Sequence, residues 1–496
     1  MEQLLIRVLN ALTPGVRRLF NRRRIPSPKG WSIGTATTLR PGDSPEDVSL
    51  DPNDLRRHVY LLGASGSGKT KALELLIRAH IRHGLGFCVV DPHGDLTRSI
   101  AAYLLDQSQR VGPDFLDRVY LVEPFTDEVA GMNVLNPGRA PLYPHISELV
   151  SIFRRLWLSS WGPRMEETLR NALLVLAQSG YTLVEVPALL TDAAFRAKII
   201  EGVPDAALRA YWQDRFEQLS DAARLTYSEP VLNKLGALTA DPRVRAMLGQ
   251  REHCLDFRKL MDDGAWILLN VSKGHLRDAS YLLGSLATAQ IQAAAMSRSE
   301  IRECDRRPFT LFVDEFQNFR GEDFETILCE ARKYALRIVV AHQHLGQLDA
   351  GLQNAIFGNV ATQLIFAVSP PDAAVLGRLL SGDGIRAEEL TQLPVGQAVF
   401  HQRGRAAQRI QVHPVLAPPI PDDDLRAFME RLRRQHSRPL GDVEAEIASR
   451  ATTRNTPPKP RRSPRPKRTA ESAPEVPPVT EVPSSTASPV SEADDD

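Results

Sequence analysis

The sequence predicts an α/β fold: a parallel-rich central sheet, interrupted by an all-helical insertion and followed by a tail that does not fold. Three observations lead there. Short β-branched runs at 58–62, 87–90, 119–122, 266–271, 310–313, 338–340 and 363–368 are mostly separated by stretches of helical apolar spacing, the alternation that builds parallel strand–helix–strand units. Between about 143 and 260 the alternation stops, and residues such as Leu149, Ile152, Phe153, Leu156 and Trp157 recur at helical spacing alone. From Ala451 onward there is no aromatic, Leu or Ile residue, and ten prolines occupy 46 positions, too little apolar surface to offset the entropy of ordering.

Composition bounds the function. The 496 residues are 43% hydrophobic and 24% charged, and Lys+Arg 61 against Asp+Glu 60 leaves a formal charge of +1. That length allows about three domains, and the balance excludes a globally basic, histone-like binder while permitting local basic patches. Cys88, Cys254, Cys304 and Cys329 are scattered, with no CxxC pair, which excludes a zinc finger or disulfide scaffold and suits a reducing cytoplasm. No apolar run reaches the ~18–20 residues of a membrane span, and 281–296 reads as a buried helix. No signal peptide is expected at the N-terminus.

Taken in order, residues 1–30 form a basic amphipathic segment, with Leu5, Val8, Leu9 and Leu12 at helical spacing and six arginines facing the single acid Glu2 by residue 24. It is expected to dock on the protein body or a partner, or to touch an anionic membrane surface. Residues 31–142 carry the first part of the sheet domain, 143–260 the helical insertion, and 261–415 the second part, closing on a hairpin of 399–401 and 410–412. A helical extension covers 416–450. The tail, 451–496, is split by charge: 454–468 has seven basic residues and no acid, and 471–496 has seven acids and no base, so either half can bind a partner.

The chemistry begins at 63–70, Gly-Ala-Ser-Gly-Ser-Gly-Lys-Thr, which satisfies the phosphate-loop pattern between an apolar strand and a helix. Gly63, Ser65, Gly66, Ser67 and Gly68 let backbone N–H groups turn toward phosphate oxygens at a helix N-terminus. Lys69 supplies charge for the β- and γ-phosphates, and Thr70 a hard oxygen for Mg²⁺. The run 310–317, Thr-Leu-Phe-Val-Asp-Glu-Phe-Gln, delivers Asp314 to the Mg²⁺ shell and Glu315 as acceptor of the attacking water's proton. Two more strands end in polar side chains: 338–342 in Gln343, set to touch the γ-phosphate or its water, and 87–90 in Asp91, expected on the same nucleotide-binding rim. His93 reads as a hydrogen-bonding loop residue.

Together these segments resemble the HerA/FtsK superfamily of DNA-pumping ATPases, and within it the type IV secretion coupling-protein branch of conjugative transfer. The residues carrying the likeness are the phosphate loop, Asp-Pro-His-Gly-Asp-Leu from Asp91, Val-Asp-Glu-Phe-Gln from Val313 and the strand ending at Gln343. Further matches are Gly-Met-Asn-Val-Leu from Gly131, Trp-Gly-Pro-Arg from Trp161, Asn-Lys-Leu from Asn233 and Ala-Arg-Lys-Tyr from Ala331. The likeness covers roughly 55–405. It implies a RecA-like motor core with an attached helical domain, ATP and Mg²⁺ as cofactors, and a homo-oligomeric ring of six around sequence-independently held DNA. It also implies that Arg332 reaches a neighbour's site. Two departures stand out: coupling proteins usually begin with transmembrane helices, and the Gly-Phe-Asn-Pro-Leu of relatives is here Gly-Met-Asn-Val-Leu. The expected function is an ATP-driven DNA translocase, cytoplasmic or peripheral at the inner membrane face with secretion-system contact. The alternatives are a secretion ATPase moving proteins and a non-hydrolysing nucleotide-dependent scaffold.

Overall fold

A computed structural model describes residues 30–37, 46–252, 254–319 and 324–452. The expectations for the basic N-terminal segment and the charge-split tail lie outside these residues. Thirteen strands are present among them: β1 (Trp31–Ala36), β2 (Asp47–Leu50), β3 (Val59–Leu62), β4 (Gly86–Asp91), β5 (Val119–Val122), β6 (Glu128–Val129), β7 (Trp266–Asn270), β8 (Phe309–Val313), β9 (Leu336–His342), β10 (Thr362–Ile365), β11 (Gln397–Gln402), β12 (Gln408–Val412) and β13 (Arg438–Pro439). Eleven build one sheet in the order β2-β1-β12-β11-β10-β3-β9-β8-β4-β7-β5, and β6 pairs with β13. From β10 to β5 every pairing is parallel. The β11–β12 hairpin expected from sequence joins β1 and β2 as an antiparallel flank. The region 31–56 thus supplies two strands of this flank, with β2 at the sheet edge.

β3, β4, β8 and β9 are buried along their whole length, as expected for a sheet covered on both faces. Their side chains alternate between two cores. Tyr60, Cys88, Leu311, Ile338 and Val340 face one that is continuous with the helical insertion through Phe153, Leu173 and Trp212. Val59, Phe87, Phe312 and Val339 face the other, covered by the helices Lys69–Arg82, Asp95–Val111 and Asp422–Gln435. Helices occupy 142–263, from Leu142–Leu156 to Phe257–Asp263. In that block, Trp161 and Lys234, each from a segment carrying the resemblance, meet around Trp157: the Trp161 ring stacks at 6.4 Å and the Lys234 ammonium sits 5.2 Å from the ring centre. The expected buried helix near 281–296 is Asp278–Met296, and no described helix is long and apolar enough to cross a membrane.

The strand order sets the site. The chain leaves β3 through the phosphate loop and the helix Lys69–Arg82, then enters β4 three positions along the sheet, with β9 and β8 between them. The carboxyl ends of β3, β9, β8 and β4 are therefore neighbours at ~4.8 Å spacing, although they come from four distant parts of the sequence.

Candidate nucleotide site

The loop 63–70 curls between β3 and its helix because glycine stands where other residues would strain. Gly66 and Gly68 have φ of +76° and +118°. A side chain at Gly68 would also meet the Cα of Gly396 at 3.3 Å. Lys69 is buried and folds over the loop, its Nζ donating to the Gly63 carbonyl at 2.6 Å and the Ala64 carbonyl at 3.0 Å. Burial lowers its pKa, while Asp314 and Glu315 pull it back up, so the ammonium is electrostatically tied to the two carboxylates. Ser67 Oγ is buried and has no partner among the described residues. A buried hydroxyl is rarely left so, and an incoming phosphate oxygen would satisfy it.

Thr70 Oγ1 donates to Asp314 Oδ2 at 3.1 Å across a sequence separation of 244. Asp314 is buried, and its other oxygen accepts the Glu315 amide at 2.9 Å. Burial, reinforced by Asp91 and Glu315, pushes its pKa from 3.8 up to about 6, against the Thr70 hydrogen bond. Three acids crowded around the single Lys69 ammonium are a setting that a divalent cation relieves. Glu315 turns out of β8 in a left-handed conformation, φ +49°, which a non-glycine residue adopts at some cost. That turn presents its carboxylate to the amides that hold it: Gln343 Nε2 at 2.6 Å on one oxygen, and Gln317 Nε2 on the other.

Lys69, Thr70, Asp314, Glu315 and Gln343 are thus brought together as expected. Asp91 reaches the same rim, but both its oxygens are engaged: Oδ1 accepts the His93 and Gly94 amides and Oδ2 the Thr97 amide, at 2.8–2.9 Å. It holds the turn into the helix Asp95–Val111, with His93 as an ordinary member of that turn. No group of His, Cys, Asp and Glu side chains sized for a metal ion occurs among the described residues; a cation here would rely on Thr70, Asp314 and the nucleotide itself. Two contacts were missed from sequence. Gln317 was part of the quoted segment but had no assigned role. The loop before β11 closes on the phosphate loop through the Gly396 amide donating to the Ser67 carbonyl at 3.0 Å.

Two protein-family descriptions match the chain on either side of the helical insertion. Residues 33–114, containing the phosphate loop, match the central domain of helicase HerA, and residues 308–394, containing Asp314, Glu315 and Gln343, match the TraM recognition site of TraD and TraG. Each description covers less than half of the chain. No curated protein sequence matches it. Solved structures show the same RecA-like fold for this core. The bacterial conjugative coupling protein TrwB lacking 70 N-terminal residues aligns over 81% of this chain and 94% of its own, at 16% identity and TM-score 0.51. TrwB in complex with ADP and Mg²⁺ aligns over 82% and 94%, at 16% identity and TM-score 0.52. VirB4 of Thermoanaerobacter pseudethanolicus aligns over 78% and 97%, at 18% identity and TM-score 0.52.

Arg332 lies elsewhere in this core. It is exposed in the turn Ala331–Tyr334 before β9, at the opposite strand end from Gln343. The seven residues of β9 put about 20 Å of strand between them. Arg332 cannot serve the phosphate loop of its own chain.

The raised Asp314 pKa carries a stability prediction. The folded state holds this proton more tightly than the unfolded chain, so the group's contribution is fullest below about pH 4 and is lost as pH rises through about 6. Asp314→Asn is expected to stabilise the nucleotide-free protein at pH 7 by up to about 3 kcal/mol, and by progressively less toward pH 4. Urea unfolding of both proteins across that range checks it; a variant less stable than the parent at pH 7 would contradict the cause assigned here.

Proposed function

We propose that this chain is a ring-forming ATPase that moves DNA, of the coupling type used in conjugation and type IV secretion. The observation carrying the reading is the Thr70–Asp314 hydrogen bond beside the Gln343–Glu315 pair, which sets a metal-shell site and a proton acceptor next to a phosphate loop. The likeness to coupling proteins crystallised with ADP and Mg²⁺ or an ATP analogue supports the choice of cofactor.

MgATP supplies the scissile phosphoanhydride and a cation that offsets its charge. The chain's residues do the rest. The amides of 63–70 and the helix N-terminus bind the phosphates, and Lys69 turns from the Gly63 and Ala64 carbonyls to the β- and γ-oxygens. Thr70 and Asp314 hold the cation. Gln343 and Gln317 fix the Glu315 carboxylate, which takes the proton of the attacking water. Arg332, too far from its own site, stabilises charge on the phosphoryl group held by an adjoining copy, which makes turnover depend on assembly.

DNA affinity of this kind comes from phosphate contacts and falls steeply with salt. The test is ATP hydrolysis with single-stranded DNA, duplex DNA or neither, at several salt concentrations. Stimulation that fades as salt rises is expected. Equal rates with and without DNA at every salt would end the DNA reading and leave a motor for protein cargo.

A further inference from the structure

The amino-terminal ends of β3, β8 and β9, opposite the phosphate loop, carry a second concentration of charge, of which the reaction above uses Arg332 alone. An open groove of about 850 Å³ lies there, between the turn before β3, the segment entering β8 and the turn before β9. Arg56, Arg306, Arg332 and Arg337 line it, against a single lining acid, Glu303, with Cys304 beside it. Arg56 and Glu303 approach only to 3.7 Å, and both are exposed, a geometry of little energetic weight. Arg306 is engaged, donating to the carbonyls of Arg298, Ile301 and Lys333 and lying over the Tyr334 ring. Arg332 is exposed and makes no ion pair among the described residues.

Arg337 is the informative member. It is the second residue of β9, 6% exposed, and its Nη1 is inaccessible and without a hydrogen-bond partner among the described residues. Burial, with Arg56 adding, lowers its pKa to about 10 against the weaker pull of Asp51, so it is charged at neutral pH. A buried guanidinium with no ion pair among the described residues is costly to a fold, and its planar fork of donors matches phosphate oxygens. We propose that this groove is an oxyanion site for a phosphate group, with Arg337 at its floor and Arg56 and Arg332 at its lip. The phosphate comes either from a polyphosphate chain, such as a nucleotide held by an adjoining copy, or from a nucleic-acid backbone. Its place beside Arg332 deepens the ring reading above and rests on it for biological use, but binding is measured without turnover, so the two can fail separately.

Cys304 is an exposed reporter inside the groove, and Cys329 an exposed control outside it. The experiment alkylates the full chain carrying Lys69→Ala, so that the phosphate loop contributes little, and follows both cysteines by peptide mass. Inorganic tripolyphosphate, a single-stranded oligodeoxynucleotide and sodium chloride at matched ionic strength are compared. Slowing of Cys304 but not Cys329, by about fivefold or more, is expected with at least one phosphate ligand, and the more effective ligand identifies the source. Adding Arg337→Gln is expected to raise the ligand concentration required about tenfold, the usual loss for a charge-assisted hydrogen bond. The exposed Arg56→Gln, which places no demand on folding, is expected to raise it a few-fold. Equal slowing by chloride, no slowing by either phosphate ligand, or undiminished protection in both arginine variants would overturn the site.

Discussion

Glu315→Gln is expected to bind ATP with near-parental affinity and to hydrolyse it about 10²–10⁴ times more slowly, the usual contribution of a positioned proton acceptor. The substitution is nearly isosteric. It removes a carboxylate next in sequence to Asp314 that is held by two amides. The left-handed backbone at 315 is unchanged by it, so the fold should persist. Equilibrium binding of a fluorescent ATP analogue and phosphate release in single turnover separate the two effects. Turnover near the parental rate would remove Glu315 from the chemistry and favour a scaffold that uses nucleotide without hydrolysing it.

Arg332→Ala is the second large expectation: unchanged nucleotide affinity, with turnover reduced about 10³-fold or more if its guanidinium serves a transferring phosphoryl group. The strand length separating Arg332 from its own phosphate loop makes the effect intermolecular. Mixing it with Lys69→Ala chains, which keep Arg332 but have lost nucleotide binding, is expected to restore part of the activity at intermediate ratios. An absence of rescue at every ratio would mean that Arg332 is a surface residue of one chain and nothing more.

How much of this was legible in the sequence follows from how local each signal is. The phosphate loop was readable because its glycines, lysine and threonine act through spacing within one turn. The buried strands were readable because a sheet covered on both faces makes each strand a short continuous apolar run, as in β8 and β9. The placing of Asp314, Glu315 and Gln343 followed from their positions just beyond such runs. The strand order was not readable: nothing local states that β9 and β8 lie between β3 and β4, or that β1 joins β12 at the far flank. The same holds for Gly396 closing on Ser67, a contact between residues more than three hundred positions apart. Asp91 looked like a nucleotide-rim residue because side-chain identity at a strand end does not reveal that three backbone amides already occupy it. Arg337 left a faint sign, a lone arginine near the start of an apolar strand, whose meaning depends on Arg56 and Arg306 arriving from elsewhere.

On this proposal the ends of three strands, β3, β9 and β8, gather one triphosphate and its magnesium. A structure of the chain bound to a non-hydrolysable ATP analogue with Mg²⁺ tests it most directly. The account predicts phosphates within the loop 63–70, with Lys69 moved onto them. The cation should lie between Thr70 and Asp314, with Glu315 and Gln343 facing the terminal phosphate. A nucleotide seated away from that loop, or a cation whose ligands exclude both Thr70 and Asp314, would contradict it.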